Sequence, residues 1–288
     1  MKKEQKKKTQ KASLKKAPVK AQKIEPQKEL VKAQEIEPKK EPVKAPKKKE
    51  SLFDTLKTIV YAVLLAMVIR SLFFEPFRIP SGSMYPTLEV GDYLFVSKYT
   101  YGYSKHSFPF SLAPIKGRIW ASLPKRGDIV VFKYPKDNRT DYIKRVVGLP
   151  GDTIQVSRGR LYINGKKVER EYKGKYVLNE YVVRPETYQE YIETLPEGLK
   201  HRILELSDYE DKIDNTELYV IPEGHVFVMG DNRDRSDDSR VHVGFVPVEN
   251  LVGKAQFLFF SHSDKGKWYK PWTWPKAIRW HKLFRRLT

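Results

Sequence analysis

Cysteine is absent from this sequence of 288 residues, which excludes a disulfide framework, a thiolate metal site and a cysteine nucleophile. Aromatic residues are missing from residues 1–50, which hold 18 Lys and 7 Glu. Such a segment has too little apolar area to offset its chain entropy, so we predict a disordered, lysine-rich tail over 1–50. Its repeats, "APVKAQKIEPQK" and "ELVKAQEIEPKK", are typical of an extended tether. Binding to anionic lipid or to another acidic partner is the alternative.

The central part of the chain lacks a strong positive charge. The net charge is +20, but residues 1–50 carry +11 and residues 264–288 carry +7, which leaves +2 for residues 51–263. Nucleic-acid binding requires lysine and arginine side chains clustered on the folded surface. We therefore predict that no nucleic acid is a partner of this protein.

One long apolar run is present, "SLFDTLKTIVYAVLLAMVIRSLFF" at residues 51–74. The 23 residues 52–74 are enough for a helix to cross a bilayer core of about 30 Å. Lys57 and Arg70 lie near its ends, where they can reach the headgroups, and no small-x-small cleavage site follows. We predict one transmembrane helix in a phospholipid bilayer, with a signal-peptide core or a buried helix as alternatives. The lysine-rich tail then stays cytoplasmic and residues 75–288 lie outside.

Short runs of β-branched and aromatic residues, broken by Gly, Pro and Asp, follow from Glu75 to about Ser263. Asn164-Gly165 is a hairpin-turn signal. Residues 185–215 are more acidic and irregular, which allows a short helix there. The pattern predicts an all-β, mostly antiparallel domain that contains an insertion.

The sequence gives little support for a metal site or for a catalytic histidine. None of the six histidines forms a pair with metal-ligand spacing, and His225 and His242 fit surface or packing roles. The stretch "DNRDRSDD" fails as a calcium loop because arginines, Arg233 and Arg235, occupy its third and fifth positions if counting starts at Asp231. We predict no metal and no cofactor.

A lysine offers a different base. Strand alternation in "DYIKRVVGLPGD" places Tyr142, Lys144 and Val146 on one face and Ile143 and Arg145 on the other. A lysine among apolar neighbours on a buried face loses solvation, and its pKa falls from about 10.4. The neutral amine could then accept a proton from a serine, whereas a lone strand lysine is more typically solvated at an edge. Arg145 cannot act in this way because its guanidinium stays protonated.

The order "PSGSMYPTL", "RGDIVVFKYP", "DYIKRVVGLPGD" and "GDNRDRSDDSR" with "GFVP" resembles bacterial type I signal peptidases, over about residues 51–262. The resemblance implies a membrane-anchored serine endopeptidase that cleaves signal peptides from exported preproteins. It implies Ser83 as nucleophile, Lys144 as general base and Ser236 as the residue that orients the base. Ser81 would give its hydroxyl to the oxyanion hole, beside the Ser83 backbone N–H.

The same resemblance implies a division of the chain and a substrate site. Residues 75–154 and 219–262 would form the catalytic β core and residues 155–218 a smaller inserted β domain. Asp238 and Arg240 match structural ion-pair residues. Apolar pockets for small substrate side chains are implied by the matching positions, which are Phe77, Ile79, Pro80, Met84, Leu88, Tyr142 and Ile143. The implied location is the bacterial cytoplasmic membrane, with one span.

The basic, tryptophan-rich segment 263–288 completes the chain. After Pro275 a helix would place Trp280, Leu283, Phe284 and Leu287 on one face. Contact with the membrane interface and packing on the β domain are both open.

At the level of class, the alternatives are a membrane-tethered binding module without catalysis and a soluble self-cleaving Ser/Lys repressor. The serine and lysine set argues against the first, and the apolar run argues against the second.

Overall fold

The computed structural model describes residues 52–108, 111, 113–179, 185–206, 212–267 and 269–287. The predicted tail, 1–50, lies outside the described residues. The described residues all fall within one compact unit, 51–288.

An apolar helix, α1 (Leu52–Leu72), begins the described chain. It is long and apolar enough to cross a membrane, and its apolar window is not buried by the rest of the protein. The predicted helix extended to residue 74, but Phe74 already belongs to a strand and its ring packs edge-on against Tyr99 at 5.6 Å. Pro76 lies two residues further on, and its ring cannot continue a helix.

Fifteen strands follow in the described residues, and every strand pairing is antiparallel. In chain order they are β1 (Phe74–Arg78), β2 (Asp92–Ser97), β3 (Ile129–Lys133), β4 (Asp141–Gly148), β5 (Thr153–Ser157), β6 (Arg160–Ile163), β7 (Lys166–Lys167), β8 (Glu169–Leu178), β9 (Glu186–Thr194), β10 (Lys200–Glu205), β11 (Tyr219–Val220), β12 (His225–Met229), β13 (Val246–Pro247), β14 (Leu251–Ser261) and β15 (Arg285–Arg286). The predicted fold class, mostly antiparallel β after one apolar helix, is confirmed.

The largest sheet has the order β1-β2-β14-β3-β4-β12-β13, with β15 paired to β14. Its strands alternate between two cores, as β3 illustrates: Val131 packs with Ile143, whereas Val130 packs with Val146. Such alternation is what a strand buried on both faces requires. The sheet therefore fixes the direction of each side chain on β4, including Lys144.

Two smaller sheets, β10-β9-β8 and β11-β5-β6-β7, are built from strands between residues 153 and 220. Asn164 and Gly165 form the β6–β7 turn with positive φ values of 53° and 72°, as the hairpin signal predicts. The prediction of an irregular, partly helical segment over 185–215 is wrong for its described residues, since β9 and β10 occupy much of it. The division into a core and an insertion at 155–218 stays a prediction.

The C-terminal segment does not form the predicted amphipathic helix. A four-residue helix, α2 (Trp274–Ala277), is followed by a turn and then β15. The Lys282 ammonium pairs with Glu89 at 2.8 Å and with buried Asp92 at 3.1 Å, which holds this segment against the main sheet. Leu287 is buried, whereas Trp280 and Phe284 are exposed. Packing on the β domain is thus realised, although not by a helix.

Candidate active site

The turn that follows β1 carries the two predicted serines. Backbone hydrogen bonds from Gly91 to Ile79 and from Leu88 to Met84 fix its ends, and Met84 is fully buried. Ser83 is only 7% exposed. Gly82 is required by packing: a Cβ there would lie 2.7 Å from the buried Tyr85 ring.

The predicted base lies beside this turn. Lys144 stands on β4 opposite Val130, and its Nζ donates a hydrogen bond of 2.6 Å to Ser83 Oγ across 61 residues of sequence. Lys144 is 4% exposed. Burial lowers the pKa of its ammonium to about 8, although nearby carboxylates oppose the shift. A serine hydroxyl and an amine with a lowered pKa therefore share one buried hydrogen bond.

The other predicted serines differ in their surroundings. Ser81 is exposed, and its Oγ lies 3.5 Å from Ser83 Oγ. Ser236 is buried, and its Oγ makes no hydrogen bond among the residues that the structure describes. A Cβ on Gly230 would lie 2.2 Å from Ser236 Oγ and 2.5 Å from the Ser83 carbonyl oxygen. Gly230 thus permits Ser236 and the Ser83 turn to lie close together, and the orienting role of Ser236 stays a prediction.

Asp238 and Arg240 form a buried ion pair. The guanidinium donates two hydrogen bonds to the carboxylate, at 2.9 and 3.0 Å, and a third to the backbone carbonyl of Arg233. Asp238 also accepts a hydrogen bond from the Gly230 N–H at 3.0 Å. The pair therefore closes the loop between Gly230 and Arg240 behind the site.

Sequence reasoning missed the residues that join the Ser83 turn to β4. Asp231 accepts two hydrogen bonds of 2.8 Å from Arg145, the neighbour of Lys144, and one of 2.5 Å from Thr87. Asn232 donates through its N–H to the Ser83 carbonyl and through its side chain to the Gly82 carbonyl. Their signal was the "GDN" at residues 230–232, which we considered only as part of a calcium loop and a family motif.

The predicted substrate-binding residues are partly brought together. Ile79, Met84, Leu88 and Ile143 share one buried cluster, and Phe77 packs against its surface. Pro80 is exposed, and Tyr142 belongs to a different cluster, with its ring centroid 5.5 Å from Lys144 Nζ. The substrate-binding role of these residues stays a prediction.

Two open strand edges approach the serine–lysine pair. Within the described residues, β1 is paired only with β2, and β12 covers β4 only over 145–148, so residues 141–144 keep one open edge. A cavity of about 830 Å³, the junction cavity, lies at the far end of these edges. Met67 and Arg70 of α1, Glu75 and Phe77 of β1 and Asp141 of β4 are among its lining residues.

Comparison with known proteins gives the class. The model of the family described as signal peptidase, peptidase S26, matches residues 52–260. The signal peptidase I of Rickettsia massiliae (strain Mtu5) is 43% identical over 250 residues, covering 80% of this chain and 91% of that protein. That of Rickettsia typhi (strain ATCC VR-144 / Wilmington) is 41% identical over 261 residues, covering 84% and 96%. A solved signal peptidase I from Enterococcus faecalis V583 is 30% identical and covers 46% of this chain and 97% of its own, with a TM-score of 0.28.

The chain therefore belongs to the signal peptidase family, peptidase S26. Membership identifies a hydrolase, a serine peptidase that cleaves signal peptides, and implies preproteins with signal peptides as substrates. The resemblance drawn from the sequence motifs is confirmed, and the alternative of a binding module without catalysis is not. Helix α1 fits a membrane-anchored member of this family.

Proposed function

We propose that Ser83 and Lys144 form a Ser/Lys dyad that cleaves signal peptides from exported preproteins through an acyl-enzyme. The observation that carries this proposal is the buried 2.6 Å hydrogen bond between Lys144 Nζ and Ser83 Oγ. Burial, which lowers the pKa of Lys144 to about 8, leaves roughly a tenth of the amine neutral at pH 7. The neutral amine is the form that can accept the serine proton.

The steps follow from this pair. Neutral Lys144 takes the proton of Ser83 while Oγ attacks the substrate carbonyl carbon, and the Ser83 N–H and the Ser81 hydroxyl stabilise the oxyanion. The Lys144 ammonium then protonates the leaving amine as the peptide bond breaks. A water molecule that gives its proton to Lys144 attacks the ester and releases the signal peptide. The buried Ser236 hydroxyl, which makes no hydrogen bond within the described chain, is available to accept one from the ammonium and orient it.

The open edges of β1 and β4 provide the proposed peptide groove. An extended segment can add to them as a strand, so that alternate side chains point to the same side. Those chains would meet Phe77, Tyr142 and the buried cluster, which is already filled by Met84 and Leu88. Small residues at positions −1 and −3 of the substrate are therefore expected.

The location follows from α1 and the charge of the tail. We place α1 as a single span of the bacterial cytoplasmic membrane, with residues 1–50 cytoplasmic and the β domain on the periplasmic side. Protease added to spheroplasts should digest residues 75–288 and spare the tail. Protection of the β domain would contradict this topology.

The deciding experiment is cleavage of a purified preprotein by the full-length protein in detergent, followed by sequencing of the new N-terminus. Ser83→Ala should abolish the product, whereas Ser157→Ala, a partly exposed serine on β5, should not change the rate. Replacing the −1 alanine of the substrate with phenylalanine should block cleavage. Turnover by Ser83→Ala, or efficient cleavage after phenylalanine, would contradict the proposal.

A further inference from the structure

The junction cavity lies where the end of α1 meets the β domain. It shares Phe77 with the proposed peptide groove, but neither Ser83 nor Lys144 lines it. Besides the five residues named above, its lining includes the β3–β4 hairpin and four residues near the short 105–107 turn, namely Lys105, His106, Phe108 and Ser111. Its charged lining comprises five cations and three carboxylates, a net charge of +2: Arg70, Lys98, Lys105, Lys133 and Arg139 against Glu75, Asp137 and Asp141. The balance favours an anionic occupant.

The three carboxylates already have partners. Glu75 pairs with Lys98 at 2.8 Å and with Arg70 at 2.5 Å, and Asp141 pairs with Lys133 at 2.8 Å. Asp137 accepts hydrogen bonds from the backbone and side chain of Thr140. An incoming cation would therefore compete with existing ion pairs. An anion would meet exposed Arg139 and half-exposed Lys105, whose ammonium lies 3.5 Å from the Glu249 carboxylate.

His106 supplies an independent observation. It is 3% exposed, it lines the cavity, and its Nε2 makes no hydrogen bond among the described residues. Its Nδ1 lies 3.0 Å from Ser111 Oγ and can accept a hydrogen bond from that hydroxyl, which leaves Nε2–H as a donor without a partner among the described residues. Burial lowers the pKa of His106 to about 4, so the ring is neutral at pH 7. A buried donor without a partner costs free energy unless a ligand or water accepts its hydrogen bond.

The position of the cavity selects among anions. Met67 and Arg70 belong to the last turns of α1, and the neighbouring Ile69 and Phe73 are exposed by 46% and 50%. A cationic cavity lies here beside an exposed apolar helix. One phospholipid can contact both, with its phosphate in the cavity and its acyl chains along the helix. An inorganic phosphate would satisfy only the first.

We propose that the junction cavity binds the headgroup phosphate of an anionic phospholipid, held by Lys105, His106 and Arg139 and bordered by the end of α1. The proposal rests on the part of the proposed function that places α1 in a bilayer, and it adds a specific lipid contact that catalysis does not require. A bound lipid would fix the height of the β domain above the bilayer surface.

The test uses the full-length protein in non-ionic detergent, titrated with dioctanoyl phosphatidylglycerol and followed by native mass spectrometry and by the melting temperature. We expect binding at least about tenfold tighter than that of dioctanoyl phosphatidylcholine, which corresponds to about 1.4 kcal/mol. Lys105→Gln/Arg139→Gln should weaken the phosphatidylglycerol complex by a similar factor. Lys116→Gln/Lys136→Gln, which removes the same charge from exposed positions outside the cavity, should not.

His106→Phe keeps a planar aromatic ring but removes the Nε2 donor, and it should weaken phosphatidylglycerol binding as well. Equal binding of the two lipids, or equal weakening in both double variants, would overturn the proposal. Protection by inorganic phosphate as strong as that by the lipid would assign the cavity to free phosphate and overturn it. Intact lipid binding in Lys105→Gln/Arg139→Gln, with slower cleavage of a soluble peptide, would assign the cavity to substrate instead. Cleavage by the wild type is measured separately, so failure of the dyad proposal remains distinguishable.

Discussion

The protonation state of Lys144 should set the pH dependence of cleavage. Its pKa of about 8 means that about a tenth of the amine is neutral at pH 7 and about a hundredth at pH 6. Because only the neutral amine can accept the Ser83 proton, kcat/KM should fall about tenfold for each pH unit below about 8. Above that pH the profile should level off.

The lowered pKa of Lys144 also predicts how the free energy of unfolding depends on pH. The pKa is about 8 in the folded protein and 10.5 for a solvated lysine, a difference that corresponds to about 3 kcal/mol. Between these pH values the unfolded chain binds more protons, so stability rises with pH across the window, and the full cost is present below about pH 8. Lys144→Met removes that cost. The variant should be as stable as the wild type or more stable at pH 7. Its additional stability should decrease as the pH rises towards about 10.5.

The assay combines both readouts. Cleavage of a signal-peptide substrate is followed from about pH 6 to about pH 9.5, and urea unfolding is followed at the two ends of that range. Lys144→Met and Lys144→Arg should show no turnover, whereas Lys167→Met, an exposed lysine on β7, should match the wild type. Substantial turnover by folded Lys144→Met, or a flat profile between about pH 6 and 8, would refute the reasoning.

Other variants test the surroundings of the pair. Gly230→Ala should lower kcat by about a hundredfold, because its Cβ would lie 2.5 Å from the Ser83 carbonyl oxygen; unchanged kcat would contradict the close approach. Asp231→Ala leaves the buried Arg145 guanidinium without its carboxylate and should cost about 3–5 kcal/mol in urea unfolding. Removal of residues 264–288 takes away the cations that pair with a buried carboxylate and should lower the melting temperature by several degrees; an unchanged value would show that the segment packs loosely. Single replacement of each histidine should change turnover by less than about tenfold.

The sequence predicted which side chains form the candidate site better than it predicted the contacts around them. Two serines around Gly82 and a lysine in an apolar strand are local patterns, and the order of four motifs gave them roles. The distance between Ser83 and Lys144 depends on how β3 and β4 pair and on where the turn docks, and no local pattern encodes it. The role of Asp231 was hidden for the same reason, since its partners lie 86 and 144 residues away.

Two errors have specific physical causes. In β9, inward positions are taken by Tyr188 and Glu190, so the strand lacks the alternation of apolar and polar residues that predicts a sheet. A neighbouring buried acid, Glu193, is neutralised by Arg233 in a two-fold hydrogen bond, which local sequence cannot reveal. At the C-terminus the spacing of apolar residues favoured a helix. The attachment of Lys282 to Asp92 and the pairing of β15 with β14 outweigh that preference.

Asp231 and Asn232 connect the turn that carries Ser83 to strand β4 and the loop that follows β12. Because they come late in the chain, the proposed catalytic pair can be aligned only late in folding. Ser83, the proposed nucleophile, lies near the start of the β domain, and Lys144 follows 61 residues later. Asp231 comes 86 residues after Arg145, the neighbour of Lys144. Loops of that length close slowly, and their closure entropy is repaid only when the last partner arrives. A nascent or partly folded chain would therefore carry the reactive serine without an aligned base. On the dyad proposal, cleavage should therefore begin only after Asp231 and Asn232 have docked against the Ser83 turn.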